Sequence, residues 1–161
     1  MIRAPAIEEL ASLSELCLRS KAVWGYDNEF LEACRSELSL GRRDLKSTSI
    51  AVAERCGQVV GIAQVKVTGN EADLLKLFVE PTAFRCGIGR SLFAWAVNVA
   101  RENGATRLTI DSDPGAASFY RRMGAHDLGQ ARSGSIPGRL LPRLAISLCP
   151  ADEAEAGSRR T

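Results

Sequence analysis

Near the N-terminus, apolar residues recur at helical spacing: Leu10, Leu13, Leu16 and Cys17, then Ala22 and Val23, fall on one face. Trp24-Gly25-Tyr26 ends that helix, because Gly25 is a poor helix former and suits a C-terminal stop. Asp27 reads as the N-cap of a second helix through Leu38, with Phe30, Leu31, Cys34 and Leu38 inward. Ile2-Arg3-Ala4-Pro5 is a short strand candidate ahead of both, and Gly41-Arg42-Arg43 a basic connection behind them. From residue 48 the period changes to alternation. Residues 48–54 and 59–68 predict two strands around a tight turn at Cys56-Gly57-Gln58, and residues 73–80 a third. A helix follows Gly89 and runs to Glu102, where Asn103-Gly104 supplies a left-handed cap. Residues 106–111 form a short β run, residues 116–123 a short helix ended by Gly124, and residues 126–132 and 144–148 the last strands. The order β-α-α-β-β-β-α-β-α-β-β predicts a mixed α/β domain with a central sheet.

Composition narrows the class. A chain of 161 residues is one domain by the usual size prior, with 45% hydrophobic and 25% charged residues. We expect the domain to span residues 1–149, and residues 150–161, polar and poor in apolar side chains, to form a disordered tail. A net charge of +2 argues against a dedicated nucleic-acid binder. No apolar run reaches membrane-spanning length and the N-terminus lacks a signal-peptide core, so the expected location is cytoplasmic, with no membrane partner. Five scattered cysteines, none in C-x-x-C spacing, and one histidine argue for reduced thiols and against a metal site.

The chemistry concentrates after the third of these alternating strands. Leu77-Phe78-Val79 stops at Pro81, a short basic loop follows, and Gly87-Ile88-Gly89 opens an amphipathic helix at Arg90-Ser91-Leu92-Phe93. Strand, glycine loop and helix N-terminus make a cradle of backbone N–H groups in which the helix dipole favours a phosphate or pyrophosphate. A Rossmann dinucleotide site fails, because the third glycine is missing and the loop from Val79 to Gly87 is too long for that tight turn. A nucleoside-triphosphate P-loop fails because Gly-Lys-[Ser/Thr] is absent.

Val79, Pro81, Gly87, Ile88, Gly89 and Leu92 fall on the loop pattern of the GCN5-related N-acetyltransferase (GNAT) superfamily, which the sequence resembles through residue 148. Downstream, Ala116-Ala117-Ser118-Phe119-Tyr120-Arg121-Arg122-Met123-Gly124-Ala125 is similar to that family's A-x-x-[FL]-Y-x-x-x-G-[FA] segment. Two loop positions depart: Phe84 stands where Arg or Gln is usual, and Arg85 where Gly is usual. Asp113 stands where the family often has Asn. The connections around Trp24 and Ser133 look like those of small single-domain members without an assigned acceptor.

The resemblance implies the acyl-CoA N-acyltransferase fold, a splayed sheet of six to seven strands flanked by about four helices. It also implies acetyl-CoA as cosubstrate, without a metal, and transfer to a primary amine. On this reading Phe84, Arg85, Cys86, Gly87, Ile88, Gly89, Arg90 and Ser91 hold the pyrophosphate, and Asp113 and Phe119 flank the cofactor. The strands on either side of the glycine-loop helix part at the cradle, and Leu77, Phe78 and Val79 face the pantetheine and thioester. Tyr120 matches the general acid; its alternative is packing alone. Asp73 is the candidate base, with Glu80 or a water relay as alternatives. Trp24 and Tyr26 are candidates for an acceptor wall or for core anchors. Arg139 is a candidate for an acceptor carboxylate or a solvated loop charge, and His126 reads as structural. A small-molecule amine is the first choice of acceptor. A peptide or protein amine is second, and a non-catalytic acyl-CoA-binding module is the rival from another class. Homodimerisation through the last strands rests on the resemblance alone.

Overall fold

Alternating apolar residues build a central sheet with a helical layer on each face. The computed structural model describes residues 1–148, so the expected tail and Cys149 lie outside the described residues. In chain order the elements are β1 (Ile2–Arg3), α1 (Leu10–Ala22), α2 (Asn28–Leu38), α3 (Arg42–Ser47), β2 (Ser49–Arg55), β3 (Gln58–Thr68) and β4 (Glu71–Val79). Then come α4 (Ile88–Glu102), β5 (Arg107–Asp111), α5 (Ala117–Arg122), β6 (His126–Arg132) and β7 (Leu140–Ser147). The seven strands lie in the order β1-β2-β3-β4-β5-β7-β6. Every neighbouring pair is antiparallel except β4 and β5. Those two are parallel because α4 carries the chain back across the sheet between them.

Two cores result. On one face α4 and α5 bury Phe93, Ala96 and Ala100 against Val65, Leu74, Leu108, Ile110 and Leu144. On the other, α1 and α2 bury Leu13, Leu16, Cys17, Cys34 and Leu38 against Ile50, Val52 and Ile62. The Asp27 carboxylate accepts from the Phe30 amide at 2.8 Å, so the cap predicted for α2 is present.

Two expectations need correction. The basic connection after Gly41 is helix α3, which has almost no apolar period because only Leu45 packs inward. Local bonds set it instead: Asp44 accepts from the Gly41 amide at 2.7 Å, and Thr48 donates to the Asp44 carbonyl. The last strand starts at Leu140, four residues before the alternation suggested, and takes in Pro142. The Pro142 carbonyl turns to the Ser112 amide at 2.9 Å, so its ring nitrogen on the same edge faces the end of β5 and costs β6 no ladder bond.

What positions the site is the parting of β4 from β5. Their ladder runs only from Glu71↔Arg107 to Leu74↔Ile110, while β4 continues along β3 to Val79↔Gly61. At the same height β4 carries a bulge. Val65 pairs with Leu74 and Gln64 with Lys76, which leaves Leu75 unmatched and bends the strand away from its parallel neighbour.

Candidate active site

Past Glu80 the chain makes a single 3-10 turn (Pro81–Ala83) and then enters a loop in which Arg85 and Gly87 both have positive φ, 63° and 79°. At Gly87 a side chain would be strained, and its left-handed backbone turns the chain into α4. Gly87 offers no side-chain cap, and the first helical bond runs from Ser91 to the Gly87 carbonyl. The amides of Ile88, Gly89 and Arg90 therefore lie ahead of that bond, at the positive end of a helix of 15 residues. Gly89 lies over the Phe119 ring, which a Cβ there would approach to 3.5 Å. A cavity of about 350 Å³ opens here, with Arg85, Arg90 and Arg122 on its wall. None of these three arginines makes an ion pair among the described residues. Backbone donors and unpaired guanidinium groups around one concavity suit a diphosphate.

This cavity shares Val79, Phe84, Arg85, Gly89, Phe119 and Arg122 with a larger one of about 460 Å³ that passes between β4 and β5. The Glu80 amide donates to the Val60 carbonyl of β3 at 2.7 Å. By strand alternation the Phe78 amide shares that edge, and the Leu77 and Val79 amides point the other way, into the gap where β5 has already ended. Those two donors face the cavity from one side. Tyr120 lines it from the other, 7% exposed, its ring packed against Phe93 and Phe119. The Tyr120 hydroxyl makes no hydrogen bond among the described residues, and burial raises its pKa, so it keeps its proton at neutral pH.

Of the residues expected to hold the cofactor, Leu77, Phe78, Val79, Phe84, Arg85, Gly87, Ile88, Gly89, Arg90, Asp113 and Phe119 line these two connected spaces. Cys86 and Ser91 do not. Cys86 is exposed, with its thiol 3.6 Å from the Phe84 carbonyl, and the Ser91 hydroxyl turns back to the Gly87 carbonyl. Arg122 belongs to the cradle although the sequence reading left it out. Its one signal was its place three residues after Phe119, on the same helical face.

Asp113 lines the cavity, but its carboxylate is engaged. It accepts from the Tyr26 hydroxyl at 2.6 Å and from the Gly115 amide at 3.0 Å, with Lys21 at 3.6 Å and Arg139 at 3.5 Å. Arg139 also donates to the Tyr26 hydroxyl and stacks over the Tyr26 and Phe30 rings. The structure thus gathers Tyr26 and Arg139 into one polar cluster that joins the α1–α2, β5–α5 and β6–β7 connections. Burial and the Asp113 carboxylate push the Tyr26 phenol up to about 12. Beside this cluster Trp24 lies flat on Gly115, where a Cβ would sit 2.6 Å from its ring, and so forms part of the cavity wall.

The candidate bases separate. Glu80 is clasped by Arg19 through two bonds of 2.9 and 2.7 Å, which hold its carboxyl below the usual carboxylate range. Asp73 stands on β4 before the bulge, outside the cavity wall, next to Thr109 in the register. Burial, then the nearby Asp111, raises its pKa against an opposing pull from Arg143. Inside the cavity the unexpected titratable group is Lys76, 7% exposed, which donates to the Gln64 side chain at 3.0 Å. A single cation in the apolar run Leu74-Leu75-Lys76-Leu77-Phe78-Val79 was its signal in the sequence. Among the described residues no helix is long and apolar enough to cross a membrane, and no cluster of His, Cys, Asp and Glu could hold a metal.

Comparison with known proteins gives a consistent picture. Residues 46–124 match the family model for an acetyltransferase (GNAT) domain, a span that runs from the end of α3 through the cradle to Gly124. None of the curated proteins matches the sequence. Among solved structures, the PaiA N-acetyltransferase of Thermoplasma acidophilum in complex with coenzyme A superposes with a TM-score of 0.72 at 20% identity, over 91% of this chain and 98% of that one. A GCN5-related N-acetyltransferase from Rhodopseudomonas palustris gives 0.74 at 22% identity, over 92% and 95% of the two chains. The ribosomal-protein-S18-alanine N-acetyltransferase of Escherichia coli gives 0.69 at 19% identity, over 94% and 95%. These likenesses are likenesses of fold.

Proposed function

Because the chain belongs to the GNAT superfamily of N-acetyltransferases, we propose that it moves an acetyl group from acetyl-CoA to a primary amine of a small molecule. The observation that carries this reading is the continuous cavity between the parted strands. It has a diphosphate cradle at one end, two strand amides and a buried phenol at its waist, and an aromatic wall at the other end. The residues fit coenzyme A. The amides of Ile88, Gly89 and Arg90, with Arg85, Arg90 and Arg122, would hold its diphosphate, and Phe84 and Phe119 would cover the chain leading inward.

The cosubstrate supplies an acetyl group already activated as a thioester, so the protein has to position, polarise and move protons. The Leu77 and Val79 amides offer fixed donors where negative charge develops on the carbonyl oxygen; removing one such donor in other enzymes costs about 10²–10³ in rate. Tyr120 holds its proton in an apolar setting and delivers it to the departing sulfur. A positioned acid of this kind is worth roughly 10²–10⁴-fold. Asp73 draws the proton from the acceptor ammonium through water, since its carboxylate lies outside the cavity and its pKa is shifted in the direction a base requires. Glu80 is the weaker candidate, because Arg19 already holds its charge. A peptide or protein amine is the second acceptor class.

Thiol release from acetyl-CoA with a panel of amines tests the reading, run alongside Tyr120→Phe. The variant should fold and bind CoA as the wild type does, and lose turnover by roughly two orders of magnitude or more. Undiminished turnover would remove the acid assignment. Absence of turnover with every amine, despite CoA binding, would favour a binding module.

A further inference from the structure

Lys76 has no task in the chemistry above, and its surroundings do not explain it as a structural charge. It is 7% exposed on the wall of the cavity, on the α1 side of the sheet, near Ser20, Trp24 and Phe78. An ammonium has three N–H donors, and among the described residues one is used, by Gln64 Oε1 at 3.0 Å. That amide is itself oriented by donation to Thr48 Oγ1 at 3.0 Å and Asp44 Oδ1 at 3.2 Å. No carboxylate among the described residues comes within ion-pair distance of Lys76 Nζ. A buried cation left with one neutral partner is costly, so such groups normally meet an anion.

The carboxylates at this end of the cavity are all committed elsewhere. Asp111 is held by Arg143 through bonds of 2.7 and 3.0 Å. Asp113 is shared among Tyr26, Lys21 and Arg139. The rim cluster thus sets two cations against one carboxylate, and the floor adds a third cation that makes no direct ion pair and that Asp44 reaches only through Gln64. Arg139, a candidate for either an acceptor carboxylate or a solvated loop charge, spends its guanidinium on Tyr26 and Asp113. Beside Ser20 and Ser112, the wall is apolar at Val23, Trp24, Leu75 and Phe78, with Trp24 and Leu75 nearly half exposed.

We propose that Lys76 receives the carboxylate of the acceptor, so that the amine acetylated here belongs to a small molecule carrying both a carboxylate and an apolar body, as an apolar amino acid does. This rests on the acetyl-transfer reading and names its substrate class. Lysine suits the task as a compact point charge in a narrow space, and a desolvated charge-assisted bond gives strong selection against an uncharged analogue.

The test uses phenylalanine, phenylalaninamide and their N-acetyl derivatives against the wild type and Lys76→Met. Methionine keeps the length of the side chain and removes its charge, and thermal melting with a CoA titration verifies that the variant is folded. In turnover, the wild type should prefer the acid over the amide by about tenfold or more in kcat/KM, and Lys76→Met should bring that ratio to about one, chiefly through KM. In a separate binding measurement, the CoA-loaded wild type should bind N-acetylphenylalanine more tightly than its amide, and the variant should not distinguish them. Equal treatment of acid and amide by the wild type, no binding of either derivative, or a preference that survives Lys76→Met overturns the proposal. Acid-selective binding without acetyl transfer upholds the carboxylate site and refutes the catalytic reading. Turnover without acid preference does the reverse.

Discussion

Gly61→Ala tests how the cradle is seated. Gly61 is buried in β3 opposite Val79, and its φ lies in the ordinary range, so alanine meets no backbone obstacle. Space is the obstacle. A Cβ there would stand 2.8 Å from Leu92 Cδ1, 3.0 Å from Ile88 Cγ2 and 3.3 Å from the Phe78 carbonyl oxygen. Carbon atoms in good contact sit roughly 3.5–4.0 Å apart, so the first turn of α4 must back away by roughly 0.5–1 Å. Leu92 is fully buried and has little room to rotate aside. Overpacking of this kind costs about 1–3 kcal/mol, against roughly 0.4–1 kcal/mol returned by the stiffer unfolded chain. A net loss of about 1–2 kcal/mol lowers the melting temperature of a domain this size by roughly 2–8 °C. The same displacement moves the amides of Ile88, Gly89 and Arg90, so CoA affinity should fall by about three- to tenfold, because charge-assisted bonds at fixed donors tolerate little misplacement. Denaturant unfolding and calorimetric titration of CoA read the two effects. An alanine variant as stable as the wild type, with unchanged CoA affinity, would refute the claim that Gly61 sets the height of α4 and its cradle.

Three further outcomes follow from the same geometry. Arg122→Gln should weaken CoA by several-fold while leaving the melting temperature unchanged, since the guanidinium makes no internal ion pair; equal CoA affinities in a titration would exclude it from the cradle. Asp73→Asn should abolish the acid limb of the kcat/KM profile against pH, whereas a retained limb would pass the base role to water or another group. Glu80→Gln tests the tie from α1 to the end of β4. The Glu80 carboxyl is depressed in the folded state, so the stabilisation from Arg19 is complete above the unfolded value near 4.3 and disappears as pH falls through the lower folded value. With Arg19 half exposed the effect is at most about 1 kcal/mol, and a stability difference from wild type that stays constant down to acid pH would contradict it.

Most of the frame was readable from the chain because it rests on local rules. The period of two in residues 48–68, the Asp27 cap and the glycines after Glu102 and Met123 each express themselves within a few residues. The cradle was readable for the same reason, since Gly87, Ile88 and Gly89 act through backbone geometry at one helix end. Helix α3 was not, because a single apolar residue gives no period, although its bonds among Gly41, Asp44 and Thr48 are local and only the Gln64 bond to Asp44 comes from elsewhere in the fold. The roles of charged residues were hardest to read. Glu80 looks available in the sequence until Arg19, two helices and three strands away, closes on it. Tyr26, Asp113 and Arg139 were assigned separately to acceptor and cofactor, and only the tertiary structure places all three in one cluster.

That cluster bears on how cations are distributed along the cavity. At the cradle end the arginines 85, 90 and 122 stand without ion-pair partners among the described residues, a state that costs little where water still reaches them. At the opposite end water is scarcer, and there Arg139 and Lys21, both largely buried, have the Asp113 carboxylate beside them. Pairing the exposed ones was optional and pairing the half-buried ones was not, which is what desolvation demands. Lys76 breaks that rule, buried more deeply than any of them and without an anion. If a ligand carboxylate completes the pattern, the two ends of one cavity are charged for different guests. The solvated end suits a diphosphate, and the buried ammonium at the other end suits a carboxylate.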